Sequence, residues 1–99
     1  MKIQYFFKKI ENPEPYKIYF EGKLKRIKKF FPKKEEVILN IEFSHPTKRK
    51  NFYVEFNLGL NHKKNIRATF ESSNPFEAID KAIDKLVAQL KKLKLEPNK

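Results

Sequence analysis

Lys81, Lys85 and Lys92 recur at steps of four and seven residues. On a helix turning about 100° per residue they form one stripe. A stripe of ammonium groups does one kind of chemistry well. It neutralises successive phosphates of a polyanion without reading its sequence, because counterion release depends on charge and not on base identity. Lys91 and Lys94 extend this cluster, and Lys23, Arg26 and Lys29 form a second one at helical spacing, with Lys17, Lys25 and Lys28 around it. Taken singly, each cation is equally a solvated helix side chain; taken together they describe a phosphate-contacting surface.

Other chemistries are poorly provided for. Asp80 and Asp84 lie one turn apart but lack a third ligand for a metal; carboxylates near a helix N-terminus favour its dipole. His45 and His62 fall in basic loops with no partner in reach by spacing. There is no cysteine, which excludes a disulfide frame, a thiolate metal site and a cysteine nucleophile. With only Gly22 and Gly59, a glycine-rich phosphate loop cannot be built. The expectation is a binding protein and not an enzyme, with no catalytic residue, cofactor, metal or small-molecule substrate.

The elements that position the cations are legible. Asn74 is placed to cap a helix, Pro75 suits its first position, and Glu77 completes a capping box. Behind them Ile79, Ile83, Leu86, Leu90 and Leu93 recur on one face, so the segment from Asn74 to Lys94 has an oily side for a core and a cationic side away from it. A second helix is predicted from Tyr16 to Phe31, entered through Pro15 and ended by Pro32-Lys33-Lys34. Its apolar stripe is Tyr16, Phe20, Leu24, Ile27 and Phe31, with Gly22 on the outer side. Lys2 to Lys8 alternates as a strand with Ile3, Tyr5 and Phe7 inward. Three more strands follow at Glu36 to Ser44, Phe52 to Asn61 and Asn65 to Ser72, joined by hairpin loops at His45 to Asn51 and Asn61 to Asn65. The order is β-α-β-β-β-α: an α+β two-layer domain, with two amphipathic helices on one face of a four-stranded, largely antiparallel sheet.

Ninety-nine residues make one domain, 1–99, large enough for a single core. Ten Phe and four Tyr make that core aromatic. No apolar stretch approaches the ~18 residues of a membrane span, and the N-terminus is not a signal peptide, so a cytoplasmic protein without a membrane partner is expected. Lys plus Arg is 23 against 12 Asp plus Glu, a net charge of +11 and a pI near 9.9. An excess of this size on a small domain points to a polyanionic partner. The outward strand positions are mixed and carry three carboxylates, Glu42, Glu55 and Glu71. The positive excess therefore belongs to the helices.

Two stretches resemble a known family. Ile66-Arg-Ala-Thr-Phe-Glu, continued by Asn74 through Lys94, looks like the C-terminal half of the hibernation-promoting factor, or ribosome-associated inhibitor (sigma-54 modulation protein), family. Its helix motif is matched at Ala78, Ile79, Asp80, Asp84, Lys85, Leu86, Gln89, Leu90 and Lys92. Lys23-Leu24, Arg26-Ile27 and Phe30-Phe31 fit the pattern of the family's first helix. The chain departs from the motif at Ala88, where the family has Arg, at Asn74 for Asp, and at Phe76 for Tyr.

The resemblance implies a protein of the family's short form, without the long form's dimerisation domain. Its partner would be the small ribosomal subunit and its rRNA, where it occupies the mRNA and tRNA channel and inhibits translation. Carried over position by position, the resemblance makes Lys23, Arg26, Lys85 and Lys92 RNA contacts; with Lys29, Lys81 and Lys94 from the basic helix faces they are the expected nucleic-acid-binding residues, and a monomer is expected when free. Three rivals stand beside it. Arg49 to Phe56 partly fits the signature of an RNA-recognition motif, whose sheet would stack bases on Phe6 and Tyr53. A double-stranded-RNA-binding module shares the β-β-β-α core, though its last helix usually starts Lys-rich. A basic protein-docking module is the reading without nucleic acid.

Overall fold

Strict alternation along four segments builds the sheet. The computed structural model describes residues 1–31, 37–46, 50–60 and 64–93. Strands β1 (Lys2–Lys8), β2 (Val37–Ser44), β3 (Phe52–Leu60) and β4 (Lys64–Ser72) lie side by side in that order. Leu39 stands opposite Ile3 and Leu58, and Leu58 opposite Ile66, so one apolar row crosses the whole sheet. The next row, Gln4, Asn40, Asn57 and Arg67, faces the other way. A period of two sorts the faces, and a slip of one residue would turn each row over.

Two of the three pairings are antiparallel, as alternation predicts, but β1 pairs with β2 in parallel. A parallel neighbour requires a crossover, which the intervening helical segment supplies. That segment differs from the single helix expected over Tyr16–Phe31. It runs as α1 (Glu14–Lys23) and a short α2 (Lys25–Lys28), divided at Leu24. The chain does not turn away there: Leu24 keeps right-handed angles of φ −65° and ψ −13°. It tightens instead, with Ile27, Phe30 and Phe31 donating to the carbonyls three residues before them. Such 3₁₀ turns rotate the stripe, so Leu24, Ile27, Phe30 and Phe31 are all buried.

Helix α3 (Pro75–Lys92) forms as its capping residues require. The Asn74 side chain accepts from the backbone N–H of Phe76 and Glu77. Glu77 closes the box through an intermediary: it accepts from Ser72 Oγ, which accepts from the Asn74 N–H. Helix α3 buries Ile79, Ile83, Leu86 and Leu90 on the sheet. Phe20 from α1 meets Phe43 and Phe56 edge-on at 5.6 and 6.0 Å. Each such side chain contributes about 1.5–3 kcal/mol by leaving water. Both helical segments lie on the same side of the sheet, and its other face is open.

Candidate nucleic-acid interface

The two helices run in the same direction. Tyr19 meets Phe76 and Asp80, Lys23 meets Asp80, and Arg26 meets Asp84, so position rises together on both. The seam is ionic. Tyr19 Oη donates to both oxygens of Asp80 at 2.8 and 3.0 Å, and this bond holds the tyrosine hydroxyl above its ordinary pKa. Lys23 Nζ lies 3.6 Å from Asp80 and 5.3 Å above the Tyr19 ring. Arg26 donates to Asp84 at 2.7 Å. Asp80 and Asp84 are thus the counter-charges of Lys23 and Arg26. Their spacing of four against the three between Lys23 and Arg26 was a signal for this match. Taken within their own helix, the two carboxylates predict only a favourable place near its N-terminus.

Lys85 also has partners. Its ammonium donates to the Thr69 carbonyl at 3.0 Å and sits 5.5 Å over the Phe70 ring. Gln89 donates to the Arg67 carbonyl at 2.7 Å. These two side chains cover backbone acceptors on edge strand β4, which an open edge would offer to another chain. Lys29, Lys81 and Lys92 are exposed, and among the described residues they have no anionic partner. Lys94 lies outside the described residues. Of the seven cations expected to bind nucleic acid, three are therefore held by other side chains or backbone, three stand bare on the helical layer, and one is not described.

The open sheet face is organised differently. Glu55 accepts from Tyr53 and Asn57, each at 2.5 Å, and from Arg67 at 3.0 Å. Led by the Tyr53 and Arg67 bonds, this set pulls the Glu55 carboxyl down to about 2. Partial burial and the same carboxylate push Tyr53 up to about 12. Lys8 pairs with Glu42 at 3.3 Å. Phe6 is half-exposed on this face, but Tyr53 is tied down by its hydroxyl. Arg49 and His62 lie outside the described residues. Among those described, no three His, Asp or Glu side chains gather as a metal site, and no helix is long and apolar enough to cross a membrane.

Known proteins share this fold. No curated protein matches the chain. The crystal structure of the Thermus thermophilus Protein Y N-terminal domain superposes with a TM-score of 0.75 at 24% identity, covering 94% of this chain and 99% of that one. A ribosomal subunit interface protein from Coxiella burnetii does so with a TM-score of 0.75 at 26% identity, covering 97% and 100%. A family model described as Sigma 54 modulation protein / S30EA ribosomal protein matches residues 3–96, which takes in α1, α2, α3 and, but for Lys2, all four strands. The chain belongs to that ribosome-associated family.

Proposed function

We propose that this protein is a translation inhibitor, or hibernation factor, that binds the small ribosomal subunit and occupies the channel needed by mRNA and tRNA. It acts by filling space and not by catalysis, in the cytoplasm, and is a monomer when free. The observation that supports this reading is the set of cations that the fold leaves unneutralised on the helical layer of a ribosome-associated family member: Lys29, Lys81 and Lys92, with Lys25, Lys28 and Lys91 beside them. These groups release counterions when they meet rRNA phosphates. Lys23, Arg26 and Lys85 join them by exchanging an intramolecular acceptor for a phosphate oxygen, and Lys94 follows on from Lys92. Base recognition on the sheet is disfavoured, because Tyr53, one of its two outward aromatic rings, is fixed by Glu55 and Arg67.

Sedimentation of the purified protein with isolated small subunits tests the reading. At 50 mM salt it is expected to travel with the subunit. Between 50 and 200 mM its affinity should fall roughly 10²–10³-fold, as about five phosphate contacts require. Protein that stays at the top of the gradient at low salt would overturn it.

A further inference from the structure

At the end of the molecule where α1 and α3 begin, a cavity of about 890 Å³ opens between the helices and the strand ends. Three rings lead out of the core toward it as a stack. Buried Phe43 lies parallel to Phe52 at 5.8 Å and 15°, and Phe52 lies parallel to His45 at 4.0 Å and 16°. Phe52 and His45 are only half-buried, and both line the cavity. Beside the stack, Tyr16 packs on Phe43 and Phe52 at 5.0 and 6.4 Å and on Phe76 at 5.4 Å, and Phe76 keeps 40% of its surface exposed. A stack of flat rings that ends at a half-buried imidazole is a platform for one more flat ring.

The rim adds polar groups. Glu11 and Asn12 line the cavity and together offer acceptors and a donor. Lys9 lies there as well, with no partner among the described residues and φ of 59°, a left-handed conformation rare for a side-chain-bearing residue. The His45 backbone N–H donates to the Lys8 carbonyl at 3.2 Å, which holds the chain just after β2 beside Lys9.

We infer that this cleft binds a single unstacked nucleotide, its base continuing the Phe43–Phe52–His45 stack and its phosphate meeting Lys9. An aliphatic side chain would use the apolar wall but neither the stack nor the cation. The nucleotide is either free in solution or an unpaired residue of an RNA strand, and the chemistry of recognition is the same. The cleft lies at the opposite end of the helices from Lys29 and Lys92, so its occupancy does not depend on the ribosome reading.

Titration of the ¹⁵N,¹³C-labelled protein with AMP, watched by NMR, tests the inference. AMP is expected to move the His45 and Phe52 ring protons upfield in a saturable way. Adenosine should bind several-fold more weakly, and ribose 5-phosphate should leave those rings unmoved. His45→Ala is expected to weaken AMP binding about five-fold or more. Lys9→Gly accepts the positive φ without strain, so it should raise the thermal midpoint while reducing AMP binding to the level of adenosine. A short single-stranded oligonucleotide that gives the same shifts more tightly identifies an RNA strand as the source; equal affinity identifies the free nucleotide. Unmoved ring protons at 10-fold excess over millimolar protein, or phenylalanine amide binding as tightly as AMP, would overturn the assignment.

Discussion

The two solvent faces of this domain are built from the same residue types and use them in opposite ways. On the sheet, Glu42, Glu55 and Arg67 are fastened to neighbours on adjacent strands, and the carboxylate of Glu55 has three donors. On the helical layer, Lys29, Lys81 and Lys92 stand in water without a described partner. A charge already fixed in a network has exchanged its water for protein, and it gains little from a phosphate. A bare ammonium still holds counterions that a polyanion would displace. The seam between the helices is intermediate: its cations are paired, but Lys23, Arg26 and Asp84 each keep 40% or more of the side chain exposed. The faces thus differ in how many charges remain unspent, more than in how many charges they carry.

The largest effect should come from removing the bare set. Lys29→Gln, Lys81→Gln and Lys92→Gln combined are expected to lower small-subunit affinity on the order of 10²-fold and to reduce the salt slope by about 2–3. Stability in urea should change little, since no described contact is lost. Arg67→Gln on the sheet removes one charge but should leave affinity within about two-fold. The reverse result in co-sedimentation would move the phosphate surface to the sheet.

The fold was legible where a single rule acted alone. Ile3, Leu39, Leu58 and Ile66 had only to alternate, and they meet in one row. Asn74 and Pro75 had only to start a helix, and they do. Legibility ended where a residue's role depends on another far along the chain. Nothing in the alternation of Lys2–Lys8 says that its neighbour runs parallel, because both pairings show the same period. The division at Leu24 serves the burial of Phe30 and Phe31, which local propensity does not see. No local spacing pairs Lys23 and Arg26 with Asp80 and Asp84, which lie 57 and 58 residues away. The cleft between Tyr16, His45, Phe52 and Phe76 joins three distant segments, and nothing in any one of them predicts its meeting with the others.

The sheet network makes a pH signature on the acid side. Glu55 has its folded pKa lowered to about 2 from an ordinary 4.5. The folded state therefore binds the proton less well than the unfolded chain, and stability is present above the ordinary value and drains away as pH falls from about 5 toward 2. Allowing for solvent at this open face, the carboxylate contributes about 1–2 kcal/mol at neutral pH. Glu55→Gln should cost about that much at pH 7 and almost nothing at pH 2, read from urea midpoints. A constant difference across this range would show that the network is held by packing and not by charge.

The smallest effect probes the seam, and its sign carries the information. Arg26 and Asp84 form an ion pair at 2.7 Å with about half of each side chain exposed, so Asp84→Asn should cost no more than about 1 kcal/mol. Asp80 is a poorer choice, because Tyr19 and Lys23 both bind it and its loss would disturb the helix contact itself. If Arg26 exchanges Asp84 for a phosphate on binding, Asp84→Asn removes the competitor and a repelling charge together. Affinity for the small subunit should then rise a few-fold, and the salt slope should steepen, because an arginine that starts unpaired releases more counterion. If the seam stays closed in the complex, affinity will be unchanged and the phosphate surface ends at the bare lysines. A fall in affinity would mean that Asp84 holds the guanidinium in the orientation the RNA requires, which a paired, planar group is well suited to preserve.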